Sequence, residues 1–75
     1  MGIDTKAIAN RIRLTRIQKG YSQSYIAKRI GKNQSYVSRC EGGLKRLGIE
    51  ELAMFAEIFE VGLTKLLGNE EEKHD

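Results

Sequence analysis

Apolar residues recur every three or four positions along most of this 75-residue chain, in short stretches that glycines separate. That spacing places apolar side chains on one face of an α-helix, whereas a β-strand needs alternating apolar and polar residues. No run of five or more β-branched residues alternates in that way, and the chain has no proline to break helices. The pattern therefore predicts an all-α fold of five short helices that end at glycines.

Capping residues and glycines set the predicted ends of these helices. Asp4, Ser22 and Asn33 are residue types whose side-chain oxygen caps a helix N-terminus. Gly20 and Gly31 suit the left-handed conformation in which many helices end. The predicted helices run from about Thr5 to Lys19, from Ser22 to Gly31, from Asn33 to near Gly42 and Gly43, from about Ile49 onward, and from Leu63 to Leu67.

Projection of these helices onto a wheel selects the residues that should face a shared core. Leu14 and Ile17 form a smaller stripe on the opposite side of the first helix, and Met54 and Ile58 lie off the stripe of the fourth. The predicted core residues are Ile8, Ile12, Thr15, Tyr21, Ile26, Ala27, Ile30, Val37, Cys40, Glu41, Leu44, Ile49, Leu52, Phe55, Ala56 and Phe59.

Charge is distributed unevenly along the chain. Residues 1–47 hold eleven lysines and arginines against Asp4 and Glu41, a net charge of +9. Residues 48–75 carry −6, so the whole chain carries +3. A basic half joined to an acidic half is typical of a protein that binds a polyanion through one face. A mixed-charge surface that only keeps the protein soluble is the alternative interpretation.

The composition offers few candidates for catalysis or metal binding. Cys40 is the single cysteine, which excludes an intrachain disulfide and a cysteine-based zinc finger, and its inward position favours a small core residue over a redox switch. His74 lies among acidic residues in a segment without apolar side chains, where no metal geometry is preformed. We expect no enzyme, cofactor, metal or small-molecule ligand.

The ends of the chain and its hydropathy bear on location. No apolar run approaches the length of about 18 residues that a membrane span requires. Residues 1–6 lack the apolar centre of a signal peptide. We therefore expect a cytoplasmic protein without membrane contact. Residues 69–75 contain no apolar residue and are predicted to form a disordered acidic tail.

Residues 21–43 contain the pattern with the clearest chemical meaning. Two short predicted helices are separated by Gly31, Lys32 and Asn33, a three-residue turn of the helix-turn-helix type. Ala27 falls where the helices should cross, and its small side chain lets the backbones approach. Both helices open alike, with Ser-Gln-Ser-Tyr-Ile and Asn-Gln-Ser-Tyr-Val eleven residues apart. If the repeat is not coincidence, both N-termini face one polyanion, because helix N-termini attract phosphate.

Between Ile8 and Leu67, twenty residues of this chain match the sequence pattern of a known family. The matching residues are Ile12, Arg13, Arg16, Gly20, Tyr21, Ser22, Gln23, Ile26, Ala27, Gly31, Ser35, Val37, Ser38, Arg39, Glu41, Gly43, Glu51, Leu52, Ala56 and Phe59. With these residues the chain resembles the lambda repressor-like, Cro/cI (XRE) helix-turn-helix family. The resemblance implies a DNA-binding domain over residues 5–68 whose third helix enters the major groove.

Three positions depart from the family pattern. Glu60 occupies a place where glycine is usual after the fourth helix, and Gly48 and Gly62 occupy places where polar N-caps are usual. A residue with a Cβ atom in the left-handed conformation costs about 1 kcal/mol. The junction of the fourth and fifth helices is therefore where we expect the local sequence to fit the fold least well.

The resemblance and the helix wheel together assign roles to the polar residues of the basic half. Glutamine can bond N6 and N7 of adenine, and arginine can bond O6 and N7 of guanine. A solvated polar face is the alternative. The predicted base contacts are Gln34, Ser35, Ser38 and Arg39. The predicted phosphate contacts, at helix starts and after the third helix, are Ser22, Gln23, Lys32, Asn33, Tyr36, Lys45 and Arg46, while Lys28 and Arg29 serve either phosphate or solubility.

Arg16 and Glu41 correspond to a family ion pair that joins the first helix to the end of the third. Glu41 is the only acidic residue between Thr5 and Gly48, which fits a fixed structural role. We expect the pair to hold the third helix at its angle.

These features predict a sequence-specific regulator of transcription that binds double-stranded DNA. One such unit contacts few base pairs, so we expect a homodimer on a pseudo-palindromic operator, with half-sites about one helical turn apart. Leu14 and Ile17 either join the dimer interface or pack on the fifth helix. The predicted interface residues are Met54, Ile58, Leu63 and Leu67, for which packing within the chain is the alternative.

Several regulatory roles remain open at this point. The chain could be a repressor, an activator, a restriction–modification controller or an antitoxin. Regulation would work through operator occupancy, protein level or contact with RNA polymerase. The rival from another class is a protein-interaction adaptor, similar to bridging coactivators, that keeps the fold without reading an operator.

Overall fold

The computed structural model describes residues 4–68, which form five helices: α1 (Thr5–Lys19), α2 (Gln23–Ile30), α3 (Gln34–Glu41), α4 (Ile49–Phe59) and α5 (Leu63–Leu67). No strand occurs in this part of the chain. The predicted all-α fold of five short helices is confirmed. The predictions for the 69–75 tail and for His74 fall outside the described residues.

Side-chain oxygens cap the first three helices as the sequence predicted. Asp4 Oδ1 accepts two backbone N–H groups of the first turn of α1. Ser22 Oγ and Asn33 Oδ1 each accept one backbone N–H, at 2.9 Å and 3.1 Å. Gly20 and Gly31 end α1 and α2 with φ of 80° and 75°, a conformation that a Cβ atom disfavours. Such caps supply partners that the ends of a helix would otherwise lack.

One hydrophobic core joins all five helices. The helix α1 packs against α3, α4 and α5, and α2 packs chiefly on α3. Burying each large apolar side chain contributes roughly 1.5–3 kcal/mol relative to leaving it exposed. The most deeply buried side chains are Ile12, Ile26, Val37, Cys40, Leu52, Phe55, Phe59 and Leu66.

Two predicted core residues lie on the surface instead. Leu44 is 79% exposed and Ile49 is 57% exposed. Leu44 was placed by continuing the face of α3, but α3 ends at Glu41 and Gly43 has φ of 74°, so helical periodicity no longer applies there. Ile49 is the first residue of α4, and the buried stripe of that helix begins at Leu52.

The three helix ends at Gly48, Glu60 and Gly62 lack the usual capping residues, as the sequence indicated. Glu60 ends α4 in the left-handed conformation, with φ of 59° and ψ of 45°. Neither Gly48 nor Gly62 provides a side-chain cap. Leu66, which the wheel analysis did not select, is fully buried and anchors α5 to the core. The short α5, which lacks a side-chain cap at its N-terminus, is held by the packing of Leu66 and by bonds at its C-terminus, where the Gly68 N–H donates to the carbonyl of Thr64 at 2.9 Å.

Candidate nucleic-acid interface

The helices α2 and α3 form a helix-turn-helix whose turn is fixed by Gly31. The backbone N–H of Lys32 donates to the carbonyl of Ala27 at 2.9 Å, which closes the end of α2. Ala27 itself is 3% exposed, as expected for a small residue where two helices meet. The chain then reaches Asn33, the N-cap of α3, three residues after the end of α2.

One face of α3 is polar and exposed, and the other lies in the core. Val37, Cys40 and Glu41 are buried. The exposed residues of the opposite face are Gln34, Ser35, Ser38 and Arg39, the four that the sequence analysis selected for base contacts. Together they provide an amide, two hydroxyls and a guanidinium on one short helix, which are groups able to bond base edges in a groove.

A chain of side-chain hydrogen bonds runs from α1 to the first residue of α3. Arg16 Nε donates to Glu41 Oε2 at 2.6 Å, and Arg16 Nη2 donates to Glu41 Oε1 at 3.0 Å. Gln23 Nε2 donates to Glu41 Oε1, also at 3.0 Å. Gln34 Nε2 in turn donates to Gln23 Oε1 at 3.0 Å. The amide of Gln34 is thus held by residues of α1, α2 and the end of α3.

The ion pair of Arg16 and Glu41 is largely removed from solvent. The two side chains are 14% and 3% exposed. The guanidinium and the carboxylate form a bidentate pair, which is a strong arrangement for arginine and a carboxylate. Arg16 Nη1 also donates to the carbonyl of Tyr21 at 2.9 Å. Because α1 and the loop before α2 both bond to Glu41 through Arg16, the pair fixes the end of α3 against the rest of the domain.

The residues selected for phosphate contacts lie along the starts of α2 and α3 and in the loop that follows α3. The side-chain oxygens of Ser22 and Asn33 serve as caps, and the amide of Gln23 is bonded at both ends. Lys45 and Arg46 belong to the loop between α3 and α4. The remaining residues of this set, Lys32 and Tyr36, flank the start of α3.

The hydroxyl of Tyr36 is engaged within the protein. It donates to Glu51 Oε2 at 2.8 Å, and Lys45 Nζ lies 3.2 Å from the same oxygen. Burial and the bond to Glu51 raise the pKa of the Tyr36 hydroxyl well above its usual value. The backbone N–H of Gly48 and the Tyr36 hydroxyl lower the pKa of Glu51, since both bonds favour the carboxylate.

Cys40 lies in the core and offers no accessible thiol. Its relative exposure is 0%, and burial raises the pKa of the thiol, which keeps it protonated and unreactive.

Lys28 and Arg29 lie at the exposed far end of α2, where Arg29 Nη1 donates to the hydroxyl of Tyr25 at 2.7 Å. Among residues 4–68, no three histidine, cysteine or acidic side chains are grouped as a metal site would require.

Sequence reasoning missed two links of this interface. It assigned Gln23 to phosphate and did not foresee its bonds to Glu41 and Gln34. It also placed Glu51 among the residues of the family pattern, without a partner. The signal for the first link was present in the eleven-residue repeat, which places a glutamine first in both α2 and α3. No local pattern signalled the second, because Tyr36 and Glu51 are fifteen residues apart.

The apolar residues considered for dimerisation differ in their exposure. Met54, Ile58, Leu63 and Leu67 are all half-buried. An open groove of about 340 Å³ between α2 and α4 includes Met54 and Ile58 in its lining, with Arg29 and Glu57 beside them. Leu14 and Ile17 are 46% and 49% exposed, so each leaves about half of its side chain at the surface of α1.

Comparison with known proteins agrees with this geometry. A family model described as helix-turn-helix matches residues 12–66. The chain is 34% identical over 64 residues to the HTH-type transcriptional regulator AnsR of Bacillus subtilis (strain 168), a match that covers 85% of this chain and 55% of AnsR. The chain thus spans about half the length of that curated relative.

Solved structures share the fold. The hypothetical transcription factor NHTF from Neisseria superposes with a TM-score of 0.77 at 31% identity, covering 85% of this chain and 75% of NHTF. The restriction-modification controller protein C.AhdI from Aeromonas hydrophila gives a TM-score of 0.78 at 27% identity, covering 84% of this chain and 91% of C.AhdI.

In residues 4–68, no helix has both the length and the apolar character to cross a bilayer. The chain belongs to the Cro/cI-type (XRE) helix-turn-helix family, whose members are DNA-binding regulators and not enzymes.

Proposed function

We propose that the chain is a sequence-specific, cytoplasmic transcriptional regulator that inserts α3 into the major groove of double-stranded DNA. The observation that carries this proposal is the exposed polar face of α3, with Gln34 already oriented by Gln23. Orientation before binding lowers the entropy that is lost when a side chain meets its target.

The two residues with the greatest power to discriminate bases are Gln34 and Arg39. One N–H of the Gln34 amide is used by Gln23, which leaves its oxygen and its second N–H for N6 and N7 of adenine. The Arg39 guanidinium suits O6 and N7 of guanine. Ser35 and Ser38 are shorter and accept or donate, so they discriminate less.

Phosphate contacts would fix the orientation of α3 without reading sequence. The N-termini of α2 and α3 offer free backbone N–H groups and the positive end of the helix dipole. Support comes from the net charge of +9 on residues 1–47, which contain all the selected residues. The selected residues are Ser22, Gln23, Lys32, Asn33, Tyr36, Lys45 and Arg46.

We further propose a homodimer on a pseudo-palindromic operator. The groove beside Met54 and Ile58 supports this, because its half-buried apolar side chains could be covered by a second copy. In a two-fold interface the same patch of both copies takes part. Arg29 and Glu57 line the same groove, so opposite charges are available to pair across the two-fold axis. Leu63 and Leu67 of α5 would extend the apolar part of the interface, since both are half-buried within the monomer.

Duplex binding is tested by titrating random-sequence DNA over a series of salt concentrations, followed by selection of preferred sites from a random pool. A DNA-binding protein should show log K falling with log salt by about 0.9 for each phosphate contact. Selected sites should be pseudo-palindromic. Absence of duplex binding at moderate salt would contradict the proposal and favour the adaptor.

The oligomeric state is tested separately by sedimentation of the free protein. Met54→Glu should shift a dimer towards monomer, while Leu44→Glu, on an exposed loop residue outside the groove, serves as the matched control. If both variants sediment as the wild type does, the interface lies elsewhere. Whether the dimer represses, activates or touches RNA polymerase then depends on where the selected operator lies relative to a promoter.

A further inference from the structure

A cluster behind the start of α3 connects three segments of the chain through one carboxylate. Glu51 Oε2 accepts the Tyr36 hydroxyl at 2.8 Å and lies 3.2 Å from Lys45 Nζ. Glu51 Oε1 accepts the backbone N–H of Gly48 at 2.8 Å. One side chain of α4 therefore holds α3, the loop between α3 and α4, and its own helix start.

Two lysines from different segments approach the ring of Tyr36. Lys32 Nζ, from the turn between α2 and α3, lies 5.4 Å from the ring centroid, and Lys45 Nζ lies 5.7 Å from it. Both distances fall within the range of cation–π attraction. Two ammonium groups near one ring also repel each other, and the carboxylate of Glu51 offsets that repulsion.

The charges around this ring favour a monoanionic partner. Lys32 and Lys45 contribute two positive charges and Glu51 contributes one negative charge, so the cluster has a surplus of one positive charge. An ammonium has three N–H donors, and Lys45 uses one towards Glu51, which leaves donors for a further oxygen. A phosphodiester of the duplex backbone, with one negative charge and two free oxygens, matches this requirement.

Glu51 also limits the freedom of Lys45. Fixing a lysine side chain costs conformational entropy. Here the side chains of Lys45 and Glu51 are only 28% and 27% exposed, and the carboxylate is itself fixed by Tyr36 and Gly48. Much of the ordering of Lys45 is therefore complete before any DNA is present.

We propose that Glu51 is a positioning residue for phosphate binding: with Tyr36 it holds the Lys45 ammonium near the ring that Lys32 also approaches, so that the two lysines bind one segment of the DNA backbone next to the recognition helix. The proposal rests on the duplex binding proposed above. An acidic residue near DNA usually weakens binding through repulsion of the phosphates. Here the acidic residue Glu51 is proposed to strengthen binding.

Because repulsion and positioning predict opposite changes in DNA affinity, Glu51→Gln distinguishes them. By charge alone, loss of a carboxylate from the surface near the DNA should strengthen binding to a polyanion. Positioning predicts instead that Glu51→Gln weakens binding to random duplex by about three- to tenfold. In a Lys45→Ala background the same substitution should no longer weaken binding. Weakening of equal size in both backgrounds, or tighter binding with Lys45 present, overturns the proposal.

A second variant removes the contact without changing charge or the α4 cap. Tyr36→Phe should weaken duplex binding when Lys45 is present and have no effect in Lys45→Ala, and circular dichroism should show both proteins folded. Tyr25→Phe is the matched control, because its hydroxyl bonds Arg29 on α2, away from Lys45. An effect of Tyr36→Phe that persists without Lys45 means that the hydroxyl contacts phosphate directly, as in the separate assignment of Tyr36 above, and overturns the positioning proposal.

The slope of log K against log salt separates the two proposals. If the wild type shows no salt-dependent duplex binding, the proposed function fails. If it binds and Lys45→Ala lowers the slope by about 0.9, Lys45 contacts phosphate. An unchanged slope in Lys45→Ala, with the wild type still binding, rejects this inference alone.

Discussion

The side-chain amides of Gln23 and Gln34 are joined by a hydrogen bond of 3.0 Å from Gln34 Nε2 to Gln23 Oε1. Each glutamine is the first residue of its helix, so the bond ties the starts of α2 and α3 together at the surface. Gln23 is also bonded to Glu41, whose carboxylate is buried. The exposed side chain of Gln34 thus has its orientation set from the interior of the domain.

Gln23→Ala is expected to reduce discrimination at the base pair that Gln34 reads, because the Gln34 amide loses its fixed partner. A specific base pair contact is worth about 1–3 kcal/mol, and part of that should be lost on the preferred operator. Titration of operators altered at single positions measures this. Gln18→Ala, on the exposed surface of α1, is the control and should leave discrimination unchanged.

Arg39→Ala is expected to cost about 1–3 kcal/mol on the preferred site and to relax preference at one base pair. The reason is that a guanidinium bound to a base edge distinguishes sequences, whereas one bound to phosphate does not. Binding isotherms on the selected operator and on random duplex make the comparison. An equal loss on both DNAs would identify Arg39 as a phosphate contact.

Glu41→Gln is expected to destabilise the fold by about 3 kcal/mol, because it leaves Arg16 largely buried without its charged partner. In a domain of this size, each kcal/mol corresponds to roughly 4–8 °C in the midpoint of thermal unfolding. Thermal unfolding followed by circular dichroism gives the value. Glu60→Gln, at the exposed end of α4 and outside the groove, should change the midpoint little, and equal melting of the two variants would refute a structural role for the pair.

Glu60→Gly is expected to stabilise the protein by about 1 kcal/mol, because glycine removes the Cβ strain at φ of 59°. Ala53→Gly provides the contrast, since glycine in place of alanine on the exposed side of a helix costs about 1 kcal/mol. Denaturant unfolding of both variants should therefore move in opposite directions. Two shifts of the same sign would show that the left-handed conformation at Glu60 is not strained.

The lowered pKa of Glu51 predicts a dependence of stability on pH. Because folding lowers this pKa from about 4.5, the stabilisation is complete above that value and is lost as pH falls through the folded-state pKa. The difference in free energy of unfolding between wild type and Glu51→Gln should be largest near neutral pH and should shrink below about pH 4.5. A difference that is constant from pH 7 to pH 3 would contradict a stabilising role for the carboxylate.

The local sequence alone determined the five helices, their caps and the exposed face of α3. Asp4, Ser22 and Asn33 cap helices through bonds to residues two or three positions away, and Gly31 acts through its own backbone. Such interactions are written in short stretches of chain, which is why they can be predicted. Helical periodicity gave the wrong burial at Leu44, which follows the end of α3, and at Ile49, which precedes the buried stripe of α4.

Only the tertiary structure decided which side chains meet across the helices. The Tyr36–Glu51 bond joins residues fifteen positions apart, and Gln23 bonds Glu41 across eighteen. Three leucines of α5 differ in burial although their residue type is the same. Leu66 faces the core and is fully buried, whereas Leu63 and Leu67 are half-buried. These contacts depend on how the helices pack, and helix packing is a property of the whole chain that no local window of sequence contains.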